Sequence, residues 1–452
     1  MVEFATQPLC DFCPSNRTIS YGIVQPGVHH AGGVPIVRVN NFENNKLKII
    51  ETLSVHPDIE AKYARSRPKA GDVLITLVGS IGQIAIAPDE IEGWNLARAV
   101  GLIPTRNIED AKWIYFALQA PEAQQYMLQR ANTTVQTTFN LGDLTKLPIP
   151  VPHLSERRTI LEVLSSLDDK IELNRRKNET LEAMAQAIFK DWFVDFGPVR
   201  RKMQGETNPA AILGGLIPDP AKAAPLAALF PDKLGNDGLP ESWTQTCIGN
   251  LLSDTIGGDW GKSEPDEKHT EEVTIIRGTD FESIRRCELG KVPTRFTTKA
   301  KLTRRSLLPG DILIEVSGGS PTVPTGKSLY ISASHLDRFD SRVVCASFCR
   351  RFRPKRESVG LLLKEHLSRL YTSGGTWEYQ NQSTGISNFQ TTHFLEAEQI
   401  VIPGEAIELA FAKIIEPITS LASSDQNRAL AQTRDYLLPK LMSGEIQCGA
   451  PG

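Results

Sequence analysis

The sequence predicts a mixed α/β chain built by internal duplication, in which a globular block followed by a long helix occurs twice. Three observations carry this: one heptad-spaced stretch, a set of short segments that recur at a fixed offset, and a proline- and glycine-rich stretch between the two copies. At 452 residues and roughly 150 residues per domain, several structural units are expected.

The helix comes first because its period is plainest. Ile160, Leu164, Leu167, Ile171, Asn174, Asn178, Leu181, Ala185, Ile188 and Trp192 alternate steps of four and three. A stripe this narrow would leave an apolar seam in water unless another helix covered it. Ser155 is the expected N-cap, with Glu156 favoured by the helix dipole, and Gly197-Pro198 is the expected stop. Asn174 and Asn178 fall in the seam, either as markers of register or as a solvated middle stretch. A weaker pattern near the end, Phe411, Ile414, Ile418 and Leu421, then Leu430, Leu437 and Leu441, supplies a second helix. Pro417 should kink it and Gly444 end it.

The two globular blocks, 1–152 and 239–402, correspond. Ile36-Val37-Arg38 and Phe42 recur as Ile275-Ile276-Arg277 and Phe281, and Gly71-Asp72-Val73-Leu74-Ile75 recurs as Gly310-Asp311-Ile312-Leu313-Ile314, all offset by 239. Phe139 answers Phe389, and Ile149-Pro150 answers Ile402-Pro403, ahead of each long helix. Gly-Asp before a β-branched run reads as a turn into a buried strand, while 112–130 and 359–371 read as helices. Residues 198–238, rich in Pro, Gly and Ala, read as a linker lying along a surface.

Composition narrows the chemistry. Fifty Lys and Arg against 53 Asp and Glu give a formal charge of -3, so any basic surface must be local. Seven cysteines in so long a chain suit reduced thiols in a reducing compartment. With no apolar window approaching a membrane span and no leader-like start, a cytoplasmic protein is expected. Gly261-Lys262-Ser263 fails as a phosphate loop because Ile256 stands where the first Gly is needed, and Gly326-Lys327-Ser328 fails at Pro321. Pro88-Asp89 with Asp110-Ala111-Lys112 meets a nuclease pattern only formally, since Glu109 to Lys112 reads equally well as a polar helix entry. Cys10-Asp11-Phe12-Cys13 lacks the second pair that zinc would need, so no metal site is expected. No loop of the type that grips a flipped base is present.

Local charge says more. From Arg277 to Arg305 there are nine basic residues against three acidic, and from Arg338 to Arg356 seven against Asp340 alone. Such runs fit phosphate neutralisation, although charge runs are commonly solvated faces. The first block offers Lys62, Arg65, Arg67 and Lys69.

The runs from Leu147 to Arg158 (LPIPVPHLSERR), Asp168 to Arg176 (DDKIELNRR), Asn178 to Glu182 and Trp192 to Phe196 (WFVDF) closely resemble the specificity subunit of type I restriction-modification systems. Tyr21 to Gly27, Leu239 to Trp243 and Arg434 to Ile446 agree, so the resemblance covers the whole chain. One departure is Arg157, where Gln would be expected. The resemblance implies target recognition domains at 1–152 and 239–402, and conserved coiled-coil helices at 153–197 and 403–446 that pack antiparallel as a spacer. It further implies a subunit that does no chemistry and binds no cofactor. Its partners would be double-stranded DNA, two modification subunits that methylate adenine with S-adenosylmethionine, and restriction subunits that use ATP and Mg²⁺.

Thirty-three residues from Ile160 to Trp192 give a rod of roughly 50 Å at about 1.5 Å each. Two readers on such a rod would contact two unlike half-sites with unread bases between them. Expected DNA contacts are Lys62, Arg65, Arg67, Lys69, Ser80, Asn132, Thr133, Gln136 and Thr138 in the first block. In the second they are Arg277, Arg285, Arg286, Arg304, Arg305, Ser317, Ser320, Trp377 and Gln380. Rival readings are a protein-interaction scaffold without DNA readout and a stand-alone nuclease.

Overall fold

The computed structural model describes residues 4–49, 52–133, 137–286, 292–319, 322–383, 386–423 and 426–447, with the side chains of 132, 133, 382, 383 and 386 outside that description. The chain divides into two compact units, Met1–Ile171 with Leu430–Gly452, and Glu172–Ala429. We call them unit 1 and unit 2.

Both units are built on one plan. In unit 1 an antiparallel four-stranded sheet runs Ser20–Tyr21, Val100–Ile103, Val73–Thr76, Ile84–Ile86, and in unit 2 its counterpart runs Leu252–Gly257, Cys349–Pro354, Ile312–Glu315, Ser328–Tyr330. Each unit adds a three-stranded sheet containing a parallel pair, Val34–Val37 with Asn95–Leu96 in one and Glu271–Ile276 with Arg342–Cys345 in the other. Each also closes its ends with an antiparallel pair, Thr6–Pro8 against Pro148–Pro150 and Thr244–Cys247 against Gln399–Ile402. The mixed α/β duplication read from the sequence is therefore present at the level of strand order.

The recurrent Gly-Asp pair has a physical cause. Gly71 and Gly310 sit at φ of +86° and +91°, a left-handed conformation that L side chains rarely adopt. The following carboxylates, buried in both units, close the turn by accepting from Lys69 N and Leu308 N, each at 2.7 Å. Burying a charge is costly unless it is paired, and Arg17 and Arg353 pair these two at 2.6 and 2.7 Å. A second glycine pair permits close approach: a Cβ on Gly22 would lie 1.9 Å from Leu96 O, and one on Gly258 2.1 Å from Ala346 O.

The long helix runs Leu154–Phe189 and continues as a π turn, Lys190–Val194. It starts one residue ahead of the expected cap. His153, not Ser155, caps it, its Nδ1 accepting from Ser155 N at 3.4 Å. Gly197-Pro198 does not end it by continuing as coil; Phe196 turns the chain at φ +54°, and Gly197 and Pro198 open the next helix, Gly197–Met203, where proline in the first turn loses no hydrogen bond.

In unit 1, Ile160, Leu161 and Leu164 share one core with Leu438, Leu441, Met442 and Trp113, and Arg434 bonds Asp168 at 2.8 Å. In unit 2, Ala185, Ile188, Phe189 and Trp192 share a core with Phe411, Ile415, Phe230 and Trp243. There the helices are antiparallel: Asn178 Nδ2 donates to Ala422 O at 2.9 Å, and Phe189 meets Phe411 with ring centroids 6.2 Å apart, so eleven residues forward on one helix are eleven back on the other. Leu167, Ile171, Asn174 and Leu181 are half-buried.

The C-terminal helix differs from its expected form. It is two helices, Glu405–Ala422 and Gln426–Ser443, and it passes through Pro417, which is exposed. At the end of the first, side chains take the last carbonyls: Asn178 bonds Ala422 O, and Arg338 bonds Ser423 O at 2.7 Å, satisfying acceptors a helix end leaves open. The buried face is Ile407, Phe411 and Ile415; Ile414 and Ile418 flank it, and Leu421, expected in the seam, is exposed. Leu437 is partly buried beside buried Leu438 and Leu441, and Gly444 stops the helix at φ +79°.

The stretch 198–238 also differs from a simple linker. It holds helices Gly197–Met203, Pro209–Ile212 and Pro220–Leu229, the last two capped by Asn208 and Asp219. Val199, Leu213, Ala223 and Phe230 are buried in the unit 2 core.

Candidate nucleic-acid interface

Each unit ends its central strand at an exposed polar edge. In unit 2, Ile312–Glu315 leads into Ser317–Gly318, which pairs with one strand of the hairpin Gln380–Ser383/Ile386–Phe389. Ser317 lies opposite Asn388, and Asn388 lies opposite Asn381. Ser317 Oγ bonds exposed Asn388 Oδ1 at 2.5 Å. Gln380, by contrast, is committed internally: its Oε1 accepts from Thr325 N at 2.9 Å and its Nε2 donates to Ser387 Oγ at 3.1 Å. Trp377, 38% exposed, stands on the short turn Gly375–Tyr379 leading into the hairpin.

Unit 1 repeats the arrangement. Val78 bridges Thr138, and Gly79 N donates to Thr137 O at 3.0 Å, with Ser80 exposed beside them. Phe139 N donates to Leu77 O at 2.9 Å as Phe389 N donates to Val316 O at 2.7 Å. The structure thus brings Ser80 to the 137–138 strand and Ser317 to Asn388. Asn132 and Thr133 pair with that strand through their backbone, while their side chains, Gln136 and Ser320 lie outside the described residues.

A second turn joins each edge. Leu77 N donates to Ala99 O at 2.7 Å, and Val316 N donates to Phe348 O at 2.8 Å. Arg98 is exposed on the unit 1 turn and Phe348 on the unit 2 turn. Behind the latter, Asp259 N donates to Cys345 O at 2.9 Å, and Arg295 lies over the Trp260 ring at 4.6 Å. Burial pushes the Cys345 thiol up to about 12, so it is an inert thiol.

The basic residues divide into two sets. Lys62, Arg65, Lys69 and Arg304 are exposed and suited to phosphate contact. The other expected contacts, and several further arginines of the runs, have structural duties. Arg67 bonds Glu60 at 2.6 Å, which holds that buried carboxyl below its ordinary value, burial opposing and Asn95 assisting. Arg277 bonds Asp280 at 2.7 Å, Arg285 and Arg286 bond Glu282 at 3.2 and 3.0 Å, and Arg305 reaches Gly258 O at 3.4 Å. Arg351 is buried against Asp254, and Arg356 bonds Glu408 at 2.7 Å. Formal charge along these runs therefore overstates the cationic surface.

Asn381 falls in the turn 377–383 that the sequence also offers for base contact, whereas Asn388, Phe348, Arg98 and the Trp260–Arg295 stack were not singled out from sequence. Asn388 precedes Phe389, whose match to Phe139 was visible, so extending that match by one residue would have found it. Among the described residues there is no group of three or more metal-ligating side chains, and no helix long and apolar enough to cross a membrane.

The chain is thus a duplicated fold that presents a polar strand edge in each copy. The family described as "Type I restriction modification DNA specificity domain" matches residues 1–183. The chain is 26% identical over 456 residues to the type I restriction enzyme HindI specificity subunit of Haemophilus influenzae, covering 91% of this chain and 94% of that one. It is 23% identical over 392 residues to the MjaIX specificity subunit of Methanocaldococcus jannaschii, covering 83% and 78%. The S subunit from M. genitalium superposes with a TM-score of 0.47 at 12% identity over 98% and 96% of the two chains. Residues 1–183 thus match the type I specificity domain, and most of the chain is similar to specificity subunits of type I restriction enzymes.

Proposed function

We propose that this chain is the DNA-recognition subunit of a type I restriction-modification complex, unit 1 and unit 2 each reading one half of an asymmetric bipartite target. The observation that supports this best is the matched pair of hairpin edges: same backbone bonds but different side chains, half-buried Thr138 and exposed Ser80 in one, half-buried Ser317 with exposed Asn388 and Asn381 in the other. Asn can bond an adenine edge in two places, while Ser and Thr bond several bases less selectively. Lys62, Arg65, Lys69 and Arg304 would hold phosphates and set register.

In this reading the paired helices set the unread gap and dock two modification subunits. The 36-residue helix Leu154–Phe189 is a rod of about 54 Å. The chain itself performs no chemistry and holds no cofactor; the modification subunits bring S-adenosylmethionine, and the restriction subunits ATP and Mg²⁺.

Selection from a random duplex library by the chain assembled with its modification subunits tests this. The expected result is one motif of two short specific parts, bound with an affinity that falls steeply as salt rises, through counterion release. Enrichment of no sequence would overturn the proposal.

A further inference from the structure

Phe348 is 66% exposed, an unusual place for a large aromatic ring held on a rigid turn. Its backbone is fixed from both sides: Val316 N donates to its carbonyl at 2.8 Å, Cys349 N to Ala346 O at 2.8 Å, Ala346 N to Ile276 O at 2.8 Å, and Gly258 N to Cys349 O at 3.0 Å. The ring is thus presented on a frame tied to three strands. Its neighbours on the edge are polar: Ser347 next to it, and Ser317, whose N also approaches Phe348 O at 3.4 Å and whose hydroxyl bonds Asn388. A protein-docking surface needs a contiguous apolar patch, whereas this is one apolar ring inside a row of hydrogen-bonding groups. Bases combine the two chemistries, with polar edges and apolar faces.

We infer that Phe348 is a wedge that stacks on a base face at an opened step of duplex DNA, within the half-site that unit 2 reads. This rests on the DNA-reading function proposed above. In a closed duplex every base face is covered, so the contact requires partial unstacking of one step. Pyrimidine–purine steps open most readily, which makes Phe348 select sequence through deformability beside the hydrogen bonds of Asn388. Unit 1 has Ala99 at the equivalent backbone position, bonded to Leu77 N as Phe348 is to Val316 N. Its half-site is therefore read without a wedge.

The test uses the full chain assembled with modification subunits and the duplex obtained by library selection, with 2-aminopurine placed in turn at each position of the half-site whose readout shifts in Asn388→Ala. Wild type should raise the fluorescence at one step in that half-site. Phe348→Ala should abolish the rise and weaken the selected duplex by about 5- to 150-fold, the value of one aromatic–base stack, with little change on random duplex. Phe348→Trp should retain both signals. A Phe348→Ala complex with unchanged affinity and unchanged fluorescence would overturn the wedge, and so would loss of modification subunits in native mass spectrometry, which would make Phe348 a protein contact. A wild-type complex that selects no sequence would instead remove the underlying DNA-reading function.

Discussion

Units 1 and 2 share a framework to the level of single hydrogen bonds and differ where the framework meets solvent. Leu77 and Val316, Gly71-Asp72 and Gly310-Asp311, and Gly22 and Gly258 keep the same backbone duties in both copies. At the edges, Thr138 stands where Asn388 does, and Ala99 where Phe348 does. The lesson is a division of labour: interior turns and close approaches tolerate few side chains, because a Cβ at Gly22 or Gly258 would strike backbone, while the edges tolerate many and so can diverge.

The units also differ in their helix contacts. Unit 1 buries aliphatic residues there, and unit 2 an aromatic cluster around Phe411, whose ring lies 5.0 Å from that of Phe193 and 6.1 Å from that of Trp192. Phe411→Ala should cost about 3–5 kcal/mol, the largest effect expected of a single truncation, and Leu441→Ala about 2–5 kcal/mol in unit 1. Urea unfolding followed by Trp fluorescence would measure both; a Phe411→Ala variant within 1 kcal/mol of wild type, on the order of the midpoint uncertainty, would break the account of the unit 2 core.

Acid should separate the units next. Burial first, then the nearby Arg338 charge, pushes the His335 imidazole in unit 2 down to about 3, and Arg285 and Lys364 act the same way. The folded value lies below the ordinary one, so the folded state keeps His335 neutral while the unfolded chain takes up a proton near pH 6.5. His335 thus lowers stability progressively as pH falls from about 6.5 toward 3, and costs nothing above that window. His335→Gln should flatten this acid slope. An unchanged slope in denaturant midpoints between pH 7 and 4 would contradict the assignment.

The matched turn caps should respond alike. Asp72→Ala and Asp311→Ala each strand a turn N–H and an arginine, and since Arg17 and Arg353 can partly rehydrate, a loss of about 2–3 kcal/mol is expected for each, at or below the range for breaking a buried pair. Thermal melts that moved for one variant and not for the other would show that the two Gly-Asp turns are not equivalent.

Much of this was legible. The heptad spacing from Ile160 to Trp192 exposes the helix because a period repeats its own signal, and the offset of 239 exposes the duplication because backbone-constrained residues recur. What was hidden depends on contacts distant in sequence. The helix end at Ala422 is satisfied by Asn178 and Arg338, both distant in sequence, while the helix runs through Pro417, so Pro417 misleads. The basic runs also lose charge to Asp254, Asp311 and Glu408, which lie outside them and which no local count detects. Residues 198–238 look like a tether because Pro and Gly mark the gaps between short helices, while the burial of Val199, Leu213 and Phe230 depends on the core they join. Asn388 and Phe348 are single exposed residues with no period at all.

The central claim is that the two edges read separately. Each base-specific contact is worth about 1–3 kcal/mol of discrimination, the smallest of these effects and the most informative. Methylated adenines should be sequenced in cells carrying the modification subunits with wild-type chain, Asn388→Ala or Thr138→Ala. The account predicts a bipartite motif in which Asn388→Ala relaxes one part and Thr138→Ala only the other; a single continuous palindrome, or one variant altering both parts, would contradict it.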